Sequence, residues 1–248
     1  MAEALLEARA LTVRFGGLTA VDAVSATLEA GELVGIIGPN GAGKTTFFNA
    51  ISGVIPPTSG QLRVAGTDLT GQPPQRYAAH GVARTFQTPR VFHDMSVADN
   101  IRFGMQFAGR HRDAPSGLRT EGEILALLGL GAWADQPAGL VTPSQQRLLE
   151  IGMALGTRPR VLLLDEVAAG LTEVEVEAMA LRIRRLRNDW GLTVVWIEHA
   201  VSTLLRHVER VLVLHQGRKI ADATPAEVVR DATVIEAYLG DEMVGAAV

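Results

Sequence analysis

Short unbroken apolar runs punctuate the chain, and each ends at a glycine or an acid. Leu33-Val34-Gly35-Ile36-Ile37 stops at Gly38, and Val161-Leu162-Leu163-Leu164 at Asp165-Glu166. Val194-Val195-Trp196-Ile197 stops at Glu198-His199, and Val211-Leu212-Val213-Leu214 ends before Gly217. Runs that are apolar at every position are what strands buried on both faces of a mostly parallel sheet look like. Between them the period becomes helical: from Glu173 to Asp189, Val176, Met179, Ala180, Ile183 and Leu186 recur at three- and four-residue spacing. Acids Glu173, Glu175 and Glu177 come first and Arg182, Arg184, Arg185 and Arg187 last, as the helix dipole favours. Thr172 with Glu175 makes a capping box, and Gly191 follows the end. Strands alternating with helices predict an α/β fold, a sheet covered by helices.

Two regions break the pattern. Residues 1–30 alternate as antiparallel strands do (Leu11, Val13, Phe15, then Val21, Val24, Ala26, Leu28). From about 89 to 157 there is no strand pattern, only helical stretches around Val97–Phe107 and Glu121–Leu128, joined by the polar loop Gly109–Gly117. The expected organisation is one domain. Its core, with an antiparallel β subdomain, spans 1–88 and 158–240; a helical insertion fills 89–157, and 241–248 is a tail. No internal repeat is visible.

Composition narrows the classes. A chain of 248 residues suffices for one large α/β domain or a core with a grafted subdomain. Twenty-three Lys plus Arg against 27 Asp plus Glu leave a net charge of −4, which argues against binding to nucleic acid by bulk charge. The arginines at 182–187 read as a solvated helix face. Cysteine is absent, so there is no disulfide framework and no cysteine zinc site. The longest apolar stretch, Ile124 to Ala134, holds two glycines and falls short of the roughly 18–20 residues that cross a bilayer. Met1-Ala2-Glu3 opens the chain without a basic region, so no secretion signal is expected. The expectation is a soluble cytoplasmic protein whose membrane role runs through a partner.

The sharpest chemical signal is Gly38-Pro39-Asn40-Gly41-Ala42-Gly43-Lys44-Thr45, a complete G-x-x-x-x-G-K-[ST] between an apolar strand and a helical stretch from Lys44 to about Ile51. Glycines let successive N–H groups curl inward onto phosphate oxygens, and the helix N-terminus adds its positive dipole end. Gly38, Asn40, Gly41, Ala42, Gly43, Lys44, Thr45 and Thr46 are therefore the expected nucleotide contacts. Lys44 would neutralise β/γ charge and the Thr45 hydroxyl would ligate Mg²⁺. A glycine-rich turn matching by chance is the alternative, and the flanking strand and helix argue against it. Such a loop needs a metal-holding acid on a neighbouring strand. Asp165, emerging at the carboxyl end of an apolar run, supplies it, and Glu166 is placed to activate water.

With these motifs in place the chain resembles an ATP-binding cassette (ABC) ATPase nearly end to end. Thr85-Phe86-Gln87 resembles the Q-loop, and Gln145-Gln146-Arg147-Leu148-Leu149-Glu150 the tail of the signature motif and its helix. Ala168-Ala169-Gly170-Leu171-Thr172 sits at the D-loop, and His199 at the switch histidine that contacts γ-phosphate. Phe15 falls where an aromatic ring stacks on adenine; taken alone it would be a core residue, and His199 a buried structural one. The resemblance implies a P-loop NTPase (RecA-like) core with an antiparallel β subdomain and an inserted α-helical subdomain, binding ATP and Mg²⁺. It implies catalysis by Glu166, His199, Gln87 and Lys44, and metal contacts from Thr45, Gln87 and, through water, Asp165. Thr142, Ser144 and Gln145 would meet the nucleotide held by an opposite subunit. Val13–Leu18, Asp165–Leu171 and Val234–Gly240 are most similar to branched-chain amino-acid importer ATPases. Those act on the cytoplasmic face of the inner membrane, paired through two permease subunits, with an extracytoplasmic protein delivering substrate. ATPases serving urea, amides or lipopolysaccharide export share much of this pattern.

The signature departs from the family's Leu-Ser-x-Gly-Gln, reading Val141-Thr142-Pro143-Ser144-Gln145. Pro143 has no N–H to offer, and Ser144 adds a side chain where close backbone approach favours glycine. The same residues make a capping box with proline at the first helical position, which starts a helix whether or not ATP meets it. Thr172 replaces the usual Asn or Asp of the D-loop, and Ala200 the Asp that commonly follows the histidine. The expected machine is an ATP-hydrolysing importer subunit in a heterodimer with one strong site, a homodimer being the alternative. Competing readings are a low-turnover regulatory ATP-binding subunit and an exporter ATPase of the lipopolysaccharide type. An ABC ATPase acting on nucleic acid is disfavoured by charge and by the lack of a long coiled-coil insertion.

Overall fold

The structure, a computed structural model, describes residues 4–107, 120–198 and 201–245. The alternating N-terminal segment folds as an antiparallel hairpin, β1 (Ala4–Phe15) and β2 (Leu18–Glu29), burying Leu11, Val13, Val21, Val24 and Leu28. The first unbroken apolar run is β3 (Leu33–Ile37), buried throughout, and α1 (Lys44–Ile51) follows the glycine loop. Next come β4 (Ser59–Val64), β5 (Thr67–Asp68), α2 (Pro74–Ala79) and β6 (Val82–Arg84). β5 and β6, of two and three residues, are too brief for an alternation to register, and β4 buries only Leu62 and Val64 of its six residues.

Between 89 and 157 the described residues form α3 (Val97–Gln106), α4 (Glu121–Leu128), two single 3₁₀ turns and α5 (Pro143–Gly156), with one isolated bridge, Ser96 to Pro137. The polar loop predicted at Gly109–Gly117 lies outside the described residues. Then follow β7 (Val161–Asp165), α6 (Glu173–Trp190), β8 (Thr193–Ile197), α7 (Val201–His207), β9 (Arg210–His215), β10 (Arg218–Ala223), α8 (Pro225–Val228) and α9 (Ala232–Gly245). Helix ends obey local chemistry. Thr120, Thr142 and Thr172 each close a capping box with the residue three positions on, and Gly129 and Gly191 end α4 and α6 in left-handed conformation.

The main sheet runs β10-β9-β3-β8-β7-β6, parallel except for the β10 edge, and a second, antiparallel sheet runs β2-β1-β4-β5. The acid-bearing strand is not next to the strand feeding the glycine loop: β8 lies between β3 and β7, which corrects the neighbouring-strand expectation. Alternate residues of the central strands face opposite layers, as the two-residue period requires. Val34, Ile36, Val161 and Leu163 join a core with α1 and the antiparallel sheet. Leu33, Ile37, Leu162 and Leu164 join another with α3 to α7. Both faces are covered, which is why the runs are apolar at every position. No described helix is long and apolar enough to cross a membrane.

Candidate functional site

Parallel strands point their carboxyl ends the same way, and ligands of open α/β sheets bind at that edge. Here β3 delivers the glycine loop, β6 leads to Gln87, β7 ends in Asp165 and β8 leads to Glu198. At Gly38 (φ +154°) an added Cβ would stand 2.1 Å from the Leu214 carbonyl oxygen. At Gly43 (φ +95°), the residue before α1, it would stand 2.3 Å from that of Ala20. Only glycine fits these two positions. The buried Lys44 donates from Nζ to the carbonyls of Gly38 and, at 2.9 Å, Pro39.

Over the loop lies an open cavity of about 570 Å³. Asn40, Gly41, Ala42, Gly43, Lys44, Thr45 and Thr46 line it from below, Phe15 and Leu18 from the β1–β2 hairpin, Gln216 and Gly217 from the β9–β10 turn, and Glu166 from the end of β7. Phe15 is 49% exposed, so it is no core residue but an aromatic surface facing the loop.

Asp165 and Glu166 are both buried. Arg84 donates to Asp165 Oδ2 at 3.2 Å, and the Asp165 N–H donates to the Thr85 hydroxyl at 3.1 Å. Gln87 Nε2 donates to Glu166 Oε2 at 2.7 Å, so Gln87 and the acid at the cavity wall are in contact. Glu166 has φ +49°, a left-handed backbone that a bulky residue seldom adopts. It is held there from several sides. Its N–H donates to Ile197 O at 3.0 Å, while its carbonyl accepts from Ala169 N–H and from Arg147, each at 3.2 Å. Glu198 secures the following turn, its Oε1 accepting from Ala168 N–H at 2.7 Å and from Trp196 Nε1 at 3.0 Å.

From α5, Glu150 grips the Q-loop at both ends. It accepts from Phe86 N–H at 3.3 Å and from Arg90 N–H at 3.0 Å. Burial pushes its carboxyl up to about 7, against the pull of those donors and of Arg147 and Arg90. Arg84, Arg147, Glu150 and Glu198 were not singled out from sequence. The legible trace was a lone acid or arginine inside an otherwise apolar stretch, as Glu150 stands beside Leu148, Leu149 and Ile151.

The signature residues stand apart. Ser144 and Gln145 line a different groove, with Leu171 and Glu175, rather than the cavity over the glycine loop. Thr142 caps α5, accepting from Gln145 N–H, and its hydroxyl lies 3.0 Å from that of Ser144. Ser144 also helps Thr172 hold the Glu175 carboxyl below its usual range. His199, and with it Ala200, lies outside the described residues.

The donors near the loop, Thr45, Gln87 and Asp165, are all hard oxygens, which suit Mg²⁺. Among the described residues no three His, Cys, Asp or Glu gather as a metal cage. A cation on these donors would share its shell with phosphates, as Mg²⁺ does in nucleotide sites.

A family model described as ABC transporter matches residues 21–169, and one described as branched-chain amino acid ATP-binding cassette transporter matches 218–244. The chain is 37% identical to the high-affinity branched-chain amino acid transport ATP-binding protein BraF of Pseudomonas aeruginosa, over 97% of this chain and 100% of BraF. It is equally 37% identical to LivG of Escherichia coli K12, a protein of the same description, over the same shares. The crystal structure of the ADP conformation of an ATP-binding cassette of an ABC transporter superposes with a TM-score of 0.84 at 29% identity, covering 96% of this chain and 99% of that one. By its motifs, its fold and these relatives, the chain belongs to the ABC transporter family as an ATP-binding subunit.

Proposed function

We propose that the chain hydrolyses ATP to energise uptake of branched-chain amino acids or closely related small polar solutes. The observation that carries the hydrolytic reading is the meeting of Phe15, Lys44, Thr45 and Glu166 around one cavity. The relatives' function and the C-terminal match supply the substrate class.

In this reading adenine stacks on Phe15 and the phosphates lie along 38–46. Lys44 exchanges its loop carbonyls for phosphate oxygens, and the loop N–H groups share the remaining charge. Thr45, Gln87 and, through water, Asp165 hold Mg²⁺, which when bound neutralises charge on the phosphate oxygens. Glu166, kept in place by Gln87 and its tethered backbone, takes the proton of the attacking water. His199 contacts the γ-phosphate.

Thr142, Ser144 and Gln145 serve a second ATPase subunit in a head-to-tail dimer, which fits their distance from this chain's own cavity. The changed signature favours a different chain as partner, giving a heterodimer with one strong site. Residues 1–88 and 158–240, with α9 running on to Gly245, act as the nucleotide core with its antiparallel β subdomain, and 89–157 as the part that grips the permeases. On that segment Phe92, Phe103 and Phe107 stack edge to face, with Phe92 and Phe107 43% and 65% exposed, an apolar patch suited to a membrane partner. The complex works at the cytoplasmic face of the inner membrane, fed by an extracytoplasmic binding protein.

Turnover of the reconstituted complex tests the base. Glu166→Gln should lower it by about a hundredfold or more while ATP affinity stays within about threefold. Normal turnover in that variant would remove Glu166 from its role. One observation supports a second reading, a low-turnover regulatory subunit: Ser144 is engaged with Thr142 and Glu175, which occupies its hydroxyl.

A further inference from the structure

Arg84 takes no part in the chemistry above, yet its guanidinium makes four hydrogen bonds beside α1 and β7. It ends β6, and its side chain is 12% exposed. Nε donates to Thr85 O at 3.2 Å. One terminal nitrogen donates to Asn49 Oδ1 at 2.7 Å and to Ser52 Oγ at 2.9 Å, and the other to Asp165 Oδ2 at 3.2 Å. The guanidinium lies 5.3 Å from the Phe48 ring centre and 4.6 Å from that of Phe86. Burial draws its pKa down while Asp165 draws it up, and an arginine so placed keeps its charge.

Asn49 follows Thr45 by four positions on α1, and Ser52, seven positions on, caps its end, so the three fall along one side of the helix. A single planar fork therefore joins the helix that carries Thr45 in its first turn to the carboxylate that ends β7. Asp165 is fastened a second time through its own N–H on the Thr85 hydroxyl.

We propose that Arg84 is a positioning residue that sets the spacing between Thr45 and Asp165, and so governs how strongly Mg²⁺ assists nucleotide binding. This rests on the reading of Thr45 and Asp165 as metal groups. Mg²⁺ demands near-ideal octahedral geometry, so two protein groups on separate elements must be held at a fixed separation. Outer-shell partners of metal ligands are typically worth about 10- to 100-fold in metal affinity. Lysine cannot replace this residue, because a point-like ammonium cannot span three acceptors as a rigid fork does.

The test is equilibrium binding of a fluorescent ATP analogue to the full chain, in EDTA and then against rising MgCl₂. Arg84→Met should raise the Mg²⁺ midpoint about tenfold or more, and Arg84→Lys nearly as much, with affinity in EDTA kept within about threefold. Asn49→Ala with Ser52→Ala, which cuts the strut only at α1, should shift the midpoint in the same direction by about threefold. An unchanged midpoint in Arg84→Met overturns the proposal. So does a loss of EDTA affinity equal to the loss in Mg²⁺, which would mark a general packing role. If Arg84→Met does not fold, the Asn49/Ser52 pair decides alone. Asp165→Asn separates the two readings. If it leaves the midpoint unmoved, the metal assignment itself is wrong; if it moves the midpoint and Arg84→Met does not, only the arginine's role fails.

Discussion

Glu166 combines a left-handed backbone, burial and a carboxylate contact to Gln87 at one position. Such a conformation costs about 1–3 kcal/mol and persists only where the surroundings over-determine it. Ile197, Arg147, Ala169 and, through Ala168, Glu198 are those surroundings. Glu150 shows a residue-scale cost of another kind. Its carboxyl sits near 4.5 in the unfolded chain and is pushed up to about 7 by burial, so the folded state holds a proton that the unfolded state releases in between. Stability from this group is therefore complete below pH 4.5 and is lost as pH rises through 7. Relative to the wild type, Glu150→Gln should gain about 2–3 kcal/mol between pH 4.5 and 7.5, read from urea midpoints at each pH. A constant difference across that range would show that the carboxyl is not titrating there.

At the scale of elements, the glycine loop is held open by clashes that only glycine avoids. Gly43→Ala would press a Cβ onto the Ala20 carbonyl, whereas at Gly41, also left-handed, the added atom meets nothing within 4 Å. Gly43→Ala should cost more than about 2 kcal/mol in chemical unfolding and abolish nucleotide binding, and Gly41→Ala about 1 kcal/mol. Equal costs would show that left-handed strain, rather than the packing of loop against hairpin, dominates. Elements were legible in sequence where local chemistry sets them. The capping boxes at Thr142 and Thr172, the glycine after Trp190 and the unbroken runs of β3, β7, β8 and β9 fall where spacing places them. β4, β5, β6 and β10 were not legible. β5 and β6 are too short to show a period, β4 and β10 are largely exposed or half-buried, and β4 and β6 owe their place to pairing with the distant β1 and β7.

At the scale of the molecule, the candidate residues fall in two separate places. The cavity over the glycine loop holds Phe15, Lys44, Thr45 and Glu166, while Ser144 and Gln145 face another groove, next to α6. In the assembled dimer Ser144→Gly should leave ATP binding at this chain's own loop unchanged. It should raise turnover at the partner's loop by about threefold or more, because the hydroxyl tie to Thr142 is removed and the backbone can approach phosphate. No rise, with the variant folded, would mean that Ser144 never stands against a γ-phosphate.

Sequence alone determined the glycine loop, the Asp165-Glu166 pair at the end of an apolar run and the boundaries of α1 and α4, because each depends on contiguous residues whose geometry is local, whereas Gln87 is identified only through the family resemblance. It also indicated that the central strands are buried on both faces. Only the tertiary structure decided that β8 separates β3 from β7, and that Gln87 meets Glu166 from 79 positions away. The left-handed turn of Glu166 and the reach of Arg84 from β6 to both α1 and Asp165 belong to the same class. The physical reason is that a parallel sheet joins strands through crossovers of a dozen residues or more. Which carboxyl ends lie side by side is then set by strand order and packing, quantities that no single stretch of the chain contains.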